Sequence, residues 1–537
     1  MNFRYDPNIE KLLISNASRI EYHQIQLWLT RKVKGWRFHP AVKVGAWDGN
    51  LSFFDNGKIN LGLWKECLKA CQEIGVKFNV ENRDEFPLNR DITLESLSDF
   101  CQDFFKNHKI KDKKTGEWSP FSPRDYQIET AFKILKNRYC IGEVATSGGK
   151  SLIISIIFFY ILKKINPDAK FLIIVPSISL VTQFYDNILE YNFGENVLQE
   201  IRDKKIESLE DPSVDIPCDL RIEEIMSERP RKHSGTKDAN IYIGTYQSLE
   251  KWPKEWFQQF YGVVCDESHQ AKAKTLIKIL SRTFNSAYYR FGVSGTFPSE
   301  DSCEILSIQS VLGPKVSQIE ASLLIEKGAI TPMQIKALFL NYNEIELNSK
   351  LKSIRNPNNG REIYEYEKKF IQASDKRIDF IRKLVEKKCT SNTLVLFHTI
   401  EYGKRIFDEL SKIKDCDIYY IDGEVSGKKR QDIFIEMNKT DRIKILVASF
   451  GTLSTGVSIN SIEHILFCDS FKSESLIIQS IGRSLRKFDG KNIATIWDIV
   501  DVLDINQMNN FFYRQFSERE KFYRKRKYPY QILKLNL

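Results

Sequence analysis

No stretch of this 537-residue chain is apolar for long enough to cross a bilayer. The longest, Leu152 to Leu162, is interrupted by Ser155 and closed by Lys163, well short of the ~20 residues a spanning helix needs. The opening residues, MNFRYDPNIEK, lack the apolar centre of a secretory signal, so a cytoplasmic setting without a membrane partner is expected. Clustered cysteines are missing too. The ten cysteines are dispersed, only Cys67 and Cys71 lie close, and there is no CxxC pair. That argues against zinc and iron–sulfur sites and for reduced, mostly buried thiols. There is no low-complexity tract and no short repeat.

Acidic residues are absent where it matters most. None occurs between Glu21 and Asp48, where Arg31, Lys32, Lys34, Arg37 and Lys43 accumulate, and residues 511–537 hold eight Lys/Arg against two Glu. The overall charge of +10 is modest; its placement is not. Trp28, Trp36, Phe38 and Trp47 interleave with the first basic segment, and Phe522, Tyr523, Tyr528 and Tyr530 with the second. Cations for phosphates and rings for bases make a nucleic-acid surface, but a solvated basic face beside a packed core has the same composition. Trp36 and Phe38 in particular fit either role. In the tail, Phe512, Phe516 and Tyr523 fall on one helical face, which predicts a helix docked on its neighbours. The Arg524-Lys-Arg-Lys527 run is too charged to be buried there.

What is present reads as several domains. Residues 106–118, polar and glycine-containing, suggest a linker behind an N-terminal domain. Strand-length apolar runs then alternate with helical stretches: Tyr139–Val144, Phe171–Val175, Ile241–Ile243, Gly262–Cys265 and Arg290–Val293, with helices over Leu152–Lys164 and Leu180–Tyr191. A polar, proline-dotted excursion interrupts at 194–238. The alternation resumes through Thr393–Phe397, Ile418–Ile421, Ile443–Val447, His464–Cys468 and Ile493–Trp497. Such alternation predicts parallel α/β sheets. The expected layout is a small α+β domain at 1–115, two parallel-sheet domains at 119–328 and 329–505, and a basic tail at 506–537.

Val144-Ala-Thr-Ser-Gly-Gly-Lys-Ser151 follows a strand and opens a helix, the setting in which a phosphate-binding loop acts. Thr146, Ser147, Gly148 and Gly149 let backbone N–H groups approach phosphates, and the helix N-terminus adds partial positive charge. Lys150 then reaches the terminal phosphates of ATP and Ser151 holds Mg²⁺. Val144 stands where the full pattern has glycine. In the same α/β unit, Val263-Val-Cys-Asp-Glu-Ser-His269 is a strand ending in two acids. Asp266 would support Mg²⁺ and Glu267 would deprotonate the attacking water.

Asp266-Glu-Ser-His269 resembles the DExH box of superfamily 2 helicases, and other motifs of that superfamily follow in order. Arg124-Asp-Tyr-Gln127 resembles the adenine-recognition motif. Val175-Pro-Ser with Gln183, Gly244-Thr-Tyr-Gln-Ser248, Ser294-Gly-Thr296, Leu394–His398, Ala448–Gly456 and Gln479-Ser-Ile-Gly-Arg-Ser-Leu-Arg486 resemble the rest. The resemblance implies two tandem RecA-like domains. It implies Arg483 and Arg486, with Gln479, acting on the ATP bound by the first domain, and Ser294, Thr296 and His269 coupling hydrolysis to the track. Thr245, Ser449 and Thr452 would touch the nucleic-acid backbone. Ser458 stands where this superfamily often carries an Asp.

Gly35-Trp-Arg-Phe-His-Pro40, Gly45-Ala-Trp-Asp-Gly49 and Leu61-Gly-Leu-Trp64 are not motor sequence. They resemble the N-terminal domain of the UvsW-type recombination and repair helicases of T-even-type bacteriophages, and the likeness continues through Asp422-Gly-Glu-Val425 to Leu535-Asn-Leu537. It implies an ATP- and Mg²⁺-dependent motor on branched, duplex and single-stranded DNA. RNA–DNA hybrids, and single-strand-binding or recombination proteins, would be further partners, in a host cell's cytoplasm. Arg31, Lys32, Lys34 and Arg37 would bind nucleic acid. The residues alone leave open an RNA helicase, a restriction-system translocase subunit, or a binding protein on a decayed motor; intact Lys150, Asp266, Glu267, Arg483 and Arg486 oppose decay.

Overall fold

In the computed structural model the described residues are 1–111, 116–198, 220–226, 239–272, 274–342, 360–439, 442–453, 459–470, 477, 480–482, 485–488, 491–503 and 510–537. They form two compact units, Met1–Ala145 with Gly149–Ile319, and Glu320–Leu537 with Thr146–Gly148. No helix among them is long and apolar enough to cross a membrane. Nine of their cysteines are free, and all but Cys416 are buried.

The first unit begins with a five-stranded sheet in the order Phe54–Asp55, Lys58–Asn60, Lys11–Ser15, Asn2–Asp6, Asn79–Val80. Phe3, Leu12 and Ile59 pack beneath it with Ile25 of helix Arg19–Trp28 and Cys67 and Cys71 of helix Trp64–Ile74. A seven-stranded, all-parallel sheet follows in the order Ile222–Ile225, Ile241–Thr245, Phe171–Val175, Gly262–Cys265, Tyr289–Ser294, Tyr139–Val144, Lys315–Ile319. Its central strands are buried along their whole length, which is why they read as unbroken apolar runs. Two details depart from expectation. The linker segment contains a small antiparallel ladder, Lys109–Lys111 with Trp118–Pro120. The polar excursion supplies the edge strand Ile222–Ile225; its residues 199–219 and 227–238 lie outside the described residues.

The small sheet is locked to the parallel one by charge. Glu10 and Arg290 are 2% and 3% exposed and meet at 2.6 Å. The Arg290 Nε donates to the Val311 carbonyl at 2.6 Å, and its guanidinium lies 4.4 Å from the Tyr139 ring centre and 4.3 Å from that of Phe284. The Asn285 N–H donates to Glu10 Oε1, and Asn89 Nδ2 donates to the Tyr289 hydroxyl at 2.9 Å. Gly62 sits so close to the Gln309 carbonyl that a Cβ has no room there.

The second unit has a parallel seven-stranded sheet in the order Cys416–Ile421, Ile443–Ser449, Thr393–Phe397, His464–Phe467, Ala494–Val502, Met333–Asn341, Tyr530–Asn536. Ala494–Val502 is buried at every residue yet carries Asp498 and Asp501. Three residues apart on a strand, they face opposite sides, and each side is covered by a helix bringing an arginine. Arg377 of helix Asp375–Lys388 reaches Asp501 at 2.7 Å, and Arg519 of helix Phe511–Lys525 reaches Asp498 at 2.8 Å. The tail helix thus docks through Phe512, Phe516 and Tyr523, as its periodicity predicts, and the chain continues as the edge strand Tyr530–Asn536. Of the basic run, Arg524, Lys525 and Lys527 are exposed.

His464 heads the strand beside these pairs. Its Nδ1 accepts from Trp497 Nε1 at 3.3 Å, and burial, followed by the charge of Lys336, pulls the imidazole down to about 4. The unfolded chain therefore binds the proton that the folded one refuses. Stability from this site is complete above about pH 6.5, the unperturbed histidine value, and is lost as pH falls toward 4. A His464→Gln variant is expected to show a shallower loss of melting temperature between pH 6.5 and 4 than the parent; parallel curves would remove His464 as the cause.

Candidate ATP site and motor motifs

The strand Tyr139–Val144 delivers the phosphate-loop residues to the carboxyl end of the sheet, where open α/β sheets place their ligands. The turn that follows is built from left-handed backbone at Ser147 (φ 67°) and Gly149 (φ 84°), and helix Lys150–Tyr160 starts directly after it. Gly149 is required twice over, for its φ and because Gln127 Nε2 occupies the space a Cβ would take. Gln127 is itself buried and its Oε1 accepts from the Arg124 N–H at 2.8 Å. The Arg124-Asp-Tyr-Gln127 motif and the turn at Gly149 are therefore in contact. Arg124 is exposed and Ser151 half-buried.

The neighbouring strand Gly262–Cys265 ends in Asp266 and Glu267, the latter at φ 47°. Lys150 Nζ lies 3.3 Å from Glu267 Oε1, and His269 Nδ1 lies 3.3 Å from Oε2. Ser294, at the end of the next strand, donates to Glu267 Oε2 at 3.3 Å or to the Thr296 carbonyl at 2.8 Å, and pairs with His269 Nδ1 at 2.9 Å. Having one proton and several acceptors, the Ser294 hydroxyl can donate to only one of them at a time. Burial would raise the Glu267 carboxyl, but Lys150 and His269 outweigh it and hold the group well below the usual carboxylate range. Asp266 moves the other way, pushed up by burial and by the charge on Glu267. Its Oδ1 is buried with no hydrogen-bond partner among the described residues, an orphaned oxygen whose chemistry fits Mg²⁺ or a metal-bound water.

Thr245 and Ser449 occupy equivalent places in the two sheets, each ending a strand ahead of a one-turn helix. Thr245 caps Tyr246–Leu249, its Oγ1 accepting from the Ser248 N–H at 3.3 Å; Ser449 Oγ pairs with Thr452 Oγ1 and accepts from the Thr452 N–H at 3.4 Å. Thr245 and Thr452 are buried, so their hydroxyls are first of all structural. Gln479 and Arg483 lie outside the described residues, as does Ser458. Arg486 is half-buried, and its carbonyl accepts from Lys491 Nζ at 3.0 Å and Thr331 Oγ1 at 3.3 Å. Lys491 and Thr331 carry no local sequence pattern that marks them as partners of Arg486. Glu10 carries none either, and the one signal for its pairing is Arg290, an arginine near the start of an apolar strand.

Arg31 donates to the carbonyls of Trp28 and Thr30, and Lys32 sits 4.3 Å over the Trp36 ring and donates to the Asp48 carbonyl. Both are tied into the N-terminal domain. Lys34 and Arg37 are exposed.

Two parallel RecA-like sheets, the first with its motifs at the strand ends, have the architecture of an ATP-dependent helicase motor, and the motifs resemble those of superfamily 2 helicases of the DExH type. The family described as "Type III restriction enzyme, res subunit" matches residues 120–299, and "Helicase conserved C-terminal domain" matches residues 376–487. In particular, the chain is similar to the ATP-dependent DNA helicase UvsW of Enterobacteria phage T4, at 29% identity over 529 residues covering 96% of both chains. It is also similar to putative helicase 22 of Sulfolobus islandicus filamentous virus (isolate Iceland/Hveragerdi), at 24% identity over 426 residues, 76% of this chain and 68% of that one. Among solved structures, the ATP-dependent Type ISP restriction-modification enzyme LlaBIII bound to DNA shares the fold at a TM-score of 0.54 and 15% identity, covering 91% of this chain and 36% of that one.

Proposed function

We propose that this motor is an ATP-dependent DNA helicase or translocase that unwinds or branch-migrates branched DNA (forks, Holliday junctions and R-loops) in recombination, replication and repair. The observation that carries the motor chemistry is the Lys150–Glu267–His269–Ser294 cluster. The likeness to a DNA helicase along 96% of the chain supports the substrate.

Lys150 and Glu267 satisfy each other here. An incoming γ-phosphate competes for the lysine, and once Lys150 turns to it the carboxylate loses the neighbour that holds its basicity down. Glu267 is then free to orient and deprotonate the attacking water. Ser294 and His269 register that change, because both bond to the oxygen that Lys150 leaves untouched, and Thr296 follows through its tie to Ser294. Asp266 and Ser151 would hold Mg²⁺, which when bound neutralises charge on the β- and γ-phosphates. Arg483 and Arg486, with Gln479, would stabilise charge on the γ-phosphate from the second domain. Thr146, Ser147 and Gly148 would offer backbone N–H groups to the phosphates, and Gln127 and Arg124 would recognise adenine. Thr245, Ser449 and Thr452 would line the DNA track. The domain layout 1–115, 119–328, 329–505 and 506–537, a cytoplasmic setting, and single-strand-binding or recombination proteins as partners belong to the same reading.

The test measures ATP hydrolysis and strand separation on forks, four-way junctions, R-loops and RNA duplexes. DNA-stimulated hydrolysis with unwinding of the branched DNAs is expected; unwinding of RNA duplexes alone would overturn the DNA assignment. For the N-terminal basic segment the exposed cations are the cleaner target. Replacing Lys34, Arg37 and Lys43 by Gln should lower the slope of log affinity against log salt on duplex arms by up to about 2.7, at ~0.9 counterion released per phosphate contact. A folded variant with the parental slope would mean that these three touch no phosphate.

A further inference from the structure

We propose that Phe38 is a base-stacking tip, through which the N-terminal domain takes hold of an unpaired or splayed nucleobase at a DNA branch. This rests on the DNA-directed reading above and goes a step past it, from phosphate binding to contact with a base.

The tip is a built structure. Strands Thr30–Lys32 and Asn50–Ser52 pair in register, Thr30 opposite Ser52 and Lys32 opposite Asn50, and residues 33–49 form an excursion between them. Its base is closed by Val33 N–H donating to the Gly49 carbonyl at 2.9 Å and by Trp47 Nε1 donating to the Asn50 carbonyl at 2.8 Å. Trp36 fills the space beside Gly49 where a Cβ would go, with Lys32 4.3 Å over its ring. His39 packs edge-on against Trp47 at 5.1 Å and caps the short helix Pro40–Lys43 through Nδ1. Three of the four rings in this excursion are thus used in packing or capping.

The fourth is not. Phe38 is 81% exposed, and Val44 is 77% exposed. No acid occurs between Glu21 and Asp48, and Lys34, Arg37 and Lys43 are exposed within the same excursion. The base of the excursion is anchored, strand Thr30–Lys32 lying beside helix Cys303–Leu312 of the first parallel-sheet domain. A bare ring on a tip whose residues 33–47 carry cations and no acid matches a polyanion that also presents flat apolar faces. Single-stranded nucleic acid has that chemistry, and aromatic side chains stack its bases with little regard to sequence. An intact duplex hides those faces inside its stack. A branch point exposes them, and apolar side chains can enter opened base steps.

The experiment uses the full chain and a three-way fork with 2-aminopurine at the branch. Phe38→Ala should weaken fork binding about 5- to 150-fold, the fold-change equivalent of ~1–3 kcal/mol per stacked base. It should also abolish the fluorescence change at the branch base. Phe38→Trp should restore both, and binding to blunt linear duplex should change far less. A Phe38→Ala protein with parental fork affinity and parental fluorescence would overturn the proposal. So would equal weakening on fork and blunt duplex, which would reduce Phe38 to a general contact. If the unsubstituted protein hydrolyses ATP in response to the fork while Phe38→Ala behaves as parent, only the stacking role falls. If the unsubstituted protein does not respond to DNA at all, the helicase reading falls with it.

Discussion

Changing Glu267 to Gln is expected to cut ATP turnover by about 10²–10⁴-fold, the range a positioned general base supplies, while nucleotide binding persists. The amide keeps the size of the carboxylate and can still bond to Ser294 and His269, so the strand end should hold its shape. What it loses is the negative charge facing Lys150 at 3.3 Å. In the absence of nucleotide that lysine is then released from its partner, so affinity for ATP should stay level or rise. The separation of binding from turnover is the diagnostic outcome. It is read by a fluorescent ATP analogue for affinity and by phosphate release for turnover. Turnover within a few-fold of the parent would remove Glu267 as the base and point to another residue orienting the water.

The second large effect concerns stability. Truncating Glu10 to Ala leaves Arg290 3% exposed in its side chain with no carboxylate, and an uncompensated buried charge of this kind costs about 3–5 kcal/mol. The Asn285 N–H loses its acceptor in the same step. The loss should appear as early melting of the first unit, measured by differential scanning calorimetry or by hydrogen exchange in strand Tyr289–Ser294. Because Ser294 closes that strand, ATP hydrolysis should weaken alongside stability although Glu10 lies beside the small N-terminal sheet. A double change of Glu10 and Arg290 to apolar residues of similar volume should recover much of the loss, since buried pairs are often no more stabilising than well-packed apolar substitutes. A Glu10→Ala protein that melts with the parent would show that water reaches the site.

The parts of the fold that could be read from sequence share one physical property. Phe171–Val175 and Gly262–Cys265 are interior parallel strands buried on both faces, so their sequences are short continuous apolar runs. Ile222–Ile225 carries two glutamates because it is an edge strand at the border of the sheet, and inside a polar excursion it gave no such signal. The motifs were legible because phosphate chemistry fixes both residue type and spacing. Glu10 with Arg290, and Thr331 with Arg486, were not: each pairing is made by tertiary structure and leaves no periodic trace. Trp36 and Phe38 show the limit most sharply. Two aromatic residues separated by one arginine end up on opposite sides of the same turn, one packed on Gly49 and one in solvent, and composition treats them alike.

The Glu10–Arg290 pair also sets an order of events on the ribosome. The two residues are 280 positions apart, and at about 5–20 residues per second the arginine is made roughly 15–55 s after the glutamate. Throughout that interval the Glu10 carboxylate lacks its arginine, and the flank at Gly62 lacks helix Cys303–Leu312, which is made later still. The basic, ring-bearing segment is therefore synthesised before Lys150 and Glu267, the two residues that meet in the ATP site.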